Sequence, residues 1–167
     1  MAQRLLIIWH SRTGAARQMA DAAAVGARAV ADELQAGGRF DLRVSPAAEV
    51  QPADLLAADG YLFATPENLA ALSGAMKECL DRNYYAVLDR LNGRPYGLII
   101  TAGSDGDGAR RQLERICTGW RLNLIAPALI VPMHAQTPEA ILAPKTVPAE
   151  WLDRGAELGG TLAALLL

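Results

Sequence analysis

The sequence lacks a strong charge of either sign. Its 16 Lys and Arg against 18 Asp and Glu leave a net charge of −2. No broad field therefore draws the chain toward nucleic acid, an anionic membrane or a basic partner. Cysteine is scarce as well. Cys79 and Cys117 lie far apart, at neither a metal-ligand nor a C-x-x-C spacing, so no disulfide or zinc framework is expected. Both fall on apolar helical positions, which points to buried thiols in a reducing compartment, the cytoplasm. Long apolar runs are missing too. Neither Leu5, Leu6, Ile7, Ile8, Trp9 nor the final stretch from Leu162 to Leu167 is long enough for a signal peptide or a membrane span. The chain has no Gly-x-Gly-x-x-Gly after its first apolar run, no Walker loop, no Gly-x-Ser-x-Gly elbow and no His-Glu-x-x-His. The first strand ends in Trp9, His10, Ser11 and Arg12, without the acidic cluster a phosphoryl acceptor needs.

What is present reads as a globular chain of 167 residues, 51% apolar and 20% charged. That length suits one domain, residues 1–167, with a core able to bury roughly 70% of the unfolded surface. Strand and helix signals alternate, which predicts a parallel sheet with helices on both faces. Strands are expected at residues 4–9, 40–44, 59–64, 96–101 and 123–131. The second alternates apolar and polar as an edge strand does, and Pro127 suits the last to the opposite edge. Helices are expected over residues 13–36, around 54–56, from Ser73, from Ala109 to Trp120 and from Ala149. Met76, Cys79, Leu80, Val87 and Leu88 form the inner side of the third. Trp151, Leu158, Leu162 and Leu165 form the inner stripe of the last. Residues 132–148 carry four prolines and read as one long irregular segment. Five strands of this kind fit the doubly wound, flavodoxin-like order 2-1-3-4-5, whose ligands sit at the C-terminal ends of strands 1, 3 and 4.

Those three ends carry the unusual loops of the sequence. After strand 1 come Ser11, Arg12, Thr13, Gly14, Ala15 and Ala16, a short hydroxyl- and glycine-bearing turn leading into a helix. Free N–H groups at a helix start and the helix dipole favour a phosphate there, and small residues let it approach. An ordinary turn in which Ser11 or Thr13 caps the helix is the alternative reading. After strand 3 come Thr65, Pro66, Glu67, Asn68 and Leu69, expected as a loop. After strand 4 come Gly103, Ser104, Asp105 and Gly106, continuing through Asp107 and Gly108. The acidic residues there lack the spacing of an EF-hand, so no metal is expected.

Taken together, the three loops resemble those of the flavodoxin-like NADPH-dependent FMN reductase superfamily. The first is similar to its phosphate cradle but has Ala16 where a hydroxyl is usual. The second, with Gly74, Lys77 and Asp81 after it, is similar to a Thr-Pro-Glu-Tyr-Asn segment but has Asn68 and Leu69 at the last two positions. The third corresponds to the glycine-rich turn at the pyrimidine end of the flavin.

The resemblance implies FMN as cofactor, bound by Ser11, Arg12, Thr13, Gly14, Ala15, Ala16, Thr65, Pro66, Glu67, Asn68, Leu69, Gly103, Ser104, Asp105 and Gly106. It implies NAD(P)H as co-substrate, hydride transfer through flavin N5, and a small-molecule acceptor of the quinone, azo, nitro or flavin type. No side chain need act as acid or base, and a homodimer is expected by analogy. Two alternatives stand beside this: a flavodoxin-type electron carrier, and a flavodoxin-fold binding protein that has lost FMN. Carriers usually clamp the flavin with aromatic side chains. Neither residues 65–72 nor 103–108 contain one.

Overall fold

In the computed structural model, which describes residues 2–167, strand β1 (Gln3–Trp9) runs through the middle of the structure. Leu5, Leu6, Ile7 and Ile8 are fully buried, as an unbroken apolar run covered on both faces must be. Strand β2 (Phe40–Pro46) pairs with it in parallel on one side and forms the edge. Strand β3 (Gly60–Asn68) pairs with it in parallel on the other. A two-residue strand, β4 (Ala71–Leu72), folds back on β3, and β5 (Pro95–Ala102) continues the parallel sheet.

The last expected strand is split. Strand β6 (Asn123–Leu124) pairs with the start of β5 and β7 (Leu129–Pro132) with its end, with Pro127 in the gap between them. Proline has no N–H to give to a ladder, so the break falls where the chemistry requires it. The sheet order is β2-β1-β3-β5-β6, with seven strands in place of five. With the hairpin strand set aside, this is the doubly wound order 2-1-3-4-5.

Helices cover both faces. Alternate residues of β1, β3 and β5 serve two cores. Leu6, Ile8, Phe63 and Ile100 face α2 (Pro52–Ala57), α3 (Gly74–Val87) and α4 (Asp107–Gly119). Leu5, Ile7, Leu62 and Ile99 face α1 (Ala15–Glu33) and, beyond the short α5 (Pro138–Leu142), the final helix α6 (Ala149–Leu166). The small residues of α1 serve a helix–helix contact as much as the sheet. A Cβ on Gly26 would lie 1.9 Å from the Ala156 carbonyl oxygen, and one on Gly159 would lie 2.0 Å from that of Ala23. Two helix backbones in contact here leave room for nothing larger than glycine.

Other expectations need correction. Helix α1 ends at Glu33, before Gly37 and Gly38, because Gln35 already turns into the left-handed region at φ 50°. Residues 65–68 continue β3 and are not a loop, since β5 on one side and β4 on the other supply hydrogen-bond partners. The segment 132–148 holds α5, whose first turn Thr137 caps through the Ala140 N–H. Leu88 and Leu165 continue the apolar stripes of their helices in sequence but are 50% and 60% exposed, beyond the reach of the sheet. Both cysteines are free and buried, and burial pushes both thiols up, that of Cys79 to about 11. Neither is a thiolate nucleophile near neutral pH. No helix is long and apolar enough to cross a membrane among the described residues.

Candidate functional site

The C-terminal ends of β1, β3 and β5 bring the three loops to one end of the sheet, as the topology demands. At the first, β1 passes through His10 to Gly14, which takes φ 99° and begins α1. The Gly14 N–H donates to Ser11 Oγ at 3.0 Å, so that hydroxyl is spent within the turn. Ala15 and Ala16 are buried, with methyls in the core, so only their backbone can face a ligand. Arg12 is exposed, and Arg17 lies with its guanidinium 4.9 Å from the Trp9 ring centroid. No side chain caps α1, and its first turn holds no acidic residue. A helix start in that state attracts an anion.

The second segment is a hairpin. Glu67 pairs with Leu72 and Asn68 with Ala71, leaving Leu69 and Ala70 to make the turn at φ 51° and 60°. Two left-handed residues are what a tight hairpin turn requires, and neither is glycine or asparagine. Leu69 is fully exposed at the tip, whereas Thr65 at the other end is fully buried. Thr65 Oγ1 lies 3.0 Å from Ser73 Oγ, which lies 2.8 Å from His10 Nδ1. These contacts tie the first segment to the second. Burial, and secondarily the charge of Arg12, hold His10 below its ordinary value of 6.5, so the ring is neutral at pH 7.

Glu67 joins the second segment to the third. Its carboxylate accepts the Gly106 N–H at 2.9 Å and the Ala109 N–H at 3.0 Å, capping α4 from a distant strand. Gly106 is buried at φ 86°. A Cβ on Gly108 would lie 2.1 Å from the Ala70 carbonyl oxygen, so the hairpin rests on the helix start. Asp107 adds a second carboxylate there, which Arg110 and then Arg111 hold below its ordinary value. The two helix starts at this end therefore differ. That of α4 is capped by the Glu67 carboxylate and carries Asp107, whereas among the described residues that of α1 has neither a side-chain cap nor an acidic residue. Of the third segment, Ser104 and Asp105 are exposed and Gly103 is half-buried.

The structure thus brings all fifteen anticipated residues to one end but not into one role. The side chains of Thr65, Ala15, Ala16 and Glu67 and the N–H of Gly106 are committed inside the protein. Two further segments, both within the irregular stretch 132–148, were not among the anticipated site residues. Residues 133–135 lie along the third loop, with Met133 N–H donating to Ala102 O at 2.7 Å and Ala135 N–H to Gly103 O at 3.0 Å. Residues 145–147 lie behind the first loop, with Lys145 N–H donating to Thr13 O at 2.8 Å. A shallow depression between α3 and α4, lined in part by Tyr84, Ile116 and Trp120, shares no residue with these loops. It offers no array of N–H donors, and the strand-end cleft is the better candidate.

Solved structures with this architecture include an archaeal flavodoxin, with a TM-score of 0.76 at 14% identity over 98% of this chain and 99% of that one. A flavodoxin, WrbA-like protein from Agrobacterium tumefaciens gives 0.73 at 16% identity over 99% and 98%. An oxidoreductase from Corynebacterium diphtheriae gives 0.73 at 22% over 99% and 97%. At such identities they show the fold alone. A NAD(P)H dehydrogenase (quinone) from Acidithiobacillus ferrooxidans is 34% identical over 97 residues, 47% of this chain and 46% of that protein. The match spans about half the length of that relative. Residues 10–136 match the NADPH-dependent FMN reductase family. The chain belongs to that family.

Proposed function

We propose that this member of the NADPH-dependent FMN reductase family holds FMN at the strand-end cleft and passes electrons from NAD(P)H to a small acceptor such as a quinone. The observation that carries the reading is the contrast between the two helix starts. Glu67 fills that of α4, while no side chain caps that of α1. Gly14 and the Ala15 and Ala16 backbone leave a cradle suited to a terminal phosphate, and Arg12 adds charge from the rim. The residues present fit FMN on that ground. The missing hydroxyl at Ala16 removes a side-chain donor but no backbone N–H.

FMN supplies hydride chemistry at its N5 when bound, and the protein supplies position and exclusion. Pro66, Glu67, Asn68 and Leu69 offer backbone along one edge of the ring. Gly103, Ser104 and Asp105 offer it along another, with Glu67 fixing the distance between the two. Neither segment carries an aromatic side chain, so neither would cover a face of the flavin against the nicotinamide or the acceptor. The same lack counts against a carrier that clamps its flavin. The reading also places the protein in the cytoplasm, as a homodimer, with residues 1–167 acting as one domain.

The test is direct. Purified protein should acquire flavin absorbance on adding FMN and then consume NAD(P)H in the presence of a quinone. Failure to bind FMN would leave only the binding-protein alternative. Binding without NAD(P)H turnover would leave the carrier.

A further inference from the structure

The amide of Gln18 occupies an unusual place. Its Oε1 accepts the Val147 N–H at 3.0 Å, and its Nε2 donates to Lys145 O at 2.8 Å and to Gly14 O at 3.1 Å. Both N–H bonds of the amide are thereby used, and all three partners are backbone. The Lys145 N–H also donates to Thr13 O at 2.8 Å. Two consecutive carbonyls of the first loop, Thr13 and Gly14, are thus held from behind by one side chain and by a segment more than a hundred residues away.

In a trans peptide the C=O and N–H point in opposite directions. Pulling the Thr13 carbonyl toward Lys145 turns the Gly14 N–H the other way, toward Ser11 Oγ, which accepts it at 3.0 Å. The Gly14 carbonyl accepts the Gln18 backbone N–H at 3.0 Å, the first helical bond of α1, and the side-chain bond from Nε2 is added to it. With that carbonyl held, the Ala15 N–H points out of the helix start, where no side chain caps it. Gly14, at φ 99°, has the most backbone freedom in this loop and gains most from being fixed.

We infer that Gln18 and the strap of residues 145–147 are positioning elements for the phosphate of FMN: the held Gly14 carbonyl aims the Ala15 N–H at it, and the held Thr13 carbonyl keeps the turn closed on Ser11. The inference rests on the FMN reading and deepens it. The strap stands in for the donor that Ala16 lacks, since preorganised backbone donors bind an anion without first losing freedom. Glutamate could not replace Gln18, because it would set a carboxylate against two carbonyl oxygens.

The experiment compares FMN with riboflavin, which lacks the phosphate, by quenching of flavin fluorescence in wild type and in Gln18→Met. Wild type should prefer FMN strongly. In Gln18→Met the FMN Kd should rise about tenfold or more, while that of riboflavin moves by no more than about twofold. If wild type prefers FMN and Gln18→Met keeps the same ratio of affinities, the inference is overturned and the FMN reading stands. Equal losses for both ligands overturn it as well, since they mark general loosening. A wild type that binds neither ligand, or both alike, overturns the underlying reading.

Should Gln18→Met fail to fold, trypsin cleavage after Lys145 in wild type gives a second readout. FMN at saturation should slow that cut more than saturating riboflavin does, because coupling between phosphate and strap is reciprocal. Equal rates overturn the inference.

Discussion

Glu67 accepts the backbone N–H of Gly106 at 2.9 Å across 39 residues of chain. The bond joins the β3–β4 hairpin to the start of α4. It also keeps that helix start from competing with α1 for an anion. Glu67→Ala should therefore lower unfolding free energy by about 1–3 kcal/mol, as loss of a charge-assisted cap does. Urea unfolding of the ligand-free protein measures it. An unchanged midpoint would show that the cap carries no weight.

The hairpin turn stores strain that can be relieved. Leu69 and Ala70 sit at φ 51° and 60°, and Leu69 is fully exposed, so no packing is lost by changing either. Ala70→Gly should stabilise by about 1 kcal/mol, and Leu69→Asn by a smaller amount in the same direction. Destabilisation by both in urea unfolding would mean that the turn is held by contacts other than its dihedrals.

The α1–α6 contact should tolerate no side chain at all. Gly26→Ala sets a methyl 1.9 Å from the Ala156 carbonyl oxygen and should cost about 3 kcal/mol or more. Gly119→Ala, at the end of α4 with nothing within 4 Å, should cost nothing. Thermal unfolding of the two variants side by side checks the contrast.

His10 gives the protein an acid-sensitive component. The folded state holds the ring below 6.5, so the unfolded chain takes up its proton first as pH falls. The neutral ring's contribution is whole above about pH 6.5 and is lost as pH drops toward the lowered native value. The stability gap between wild type and His10→Gln should therefore narrow as pH falls below about 6.5 in urea titrations. A constant gap would show that the ring does not titrate differently on folding.

How much of this the sequence disclosed depended on distance along the chain. The turn at Ser11 to Ala16 and the sheet order were legible, because each rests on local chemistry or on alternation of elements; Pro127 marked an edge strand, but the split it causes was not foreseen. The hairpin at Leu69 and Ala70 was not, because it lacks the Asn or Gly that marks such turns. Glu67 read as a loop residue near a ligand, and its bond to α4 needed the fold to bring it there. Gln18 looked like one polar residue on a helix. Its partners at Lys145 and Val147 lie in a proline-rich stretch with no periodicity. Leu88 and Leu165 failed for the opposite reason, since an apolar stripe continues in sequence after the sheet beneath it has ended.

Asn68, half-buried beside the hairpin tip, tests the open flavin face. Asn68→Trp should keep FMN bound, or bind it more tightly, and slow NAD(P)H oxidation by about tenfold or more through obstruction of the stacking position. Unaltered turnover with FMN fully bound would favour the electron carrier.

We propose a transfer of electrons from NAD(P)H onto FMN held at the first loop and from there to a small acceptor. Its most direct test is an anaerobic absorbance record of the FMN-loaded protein. Adding NADPH or NADH should bleach the flavin band within a turnover time, and a quinone added afterwards should restore it. A flavin band that stays unbleached with both nucleotides, in protein shown to hold FMN, would rule out that transfer.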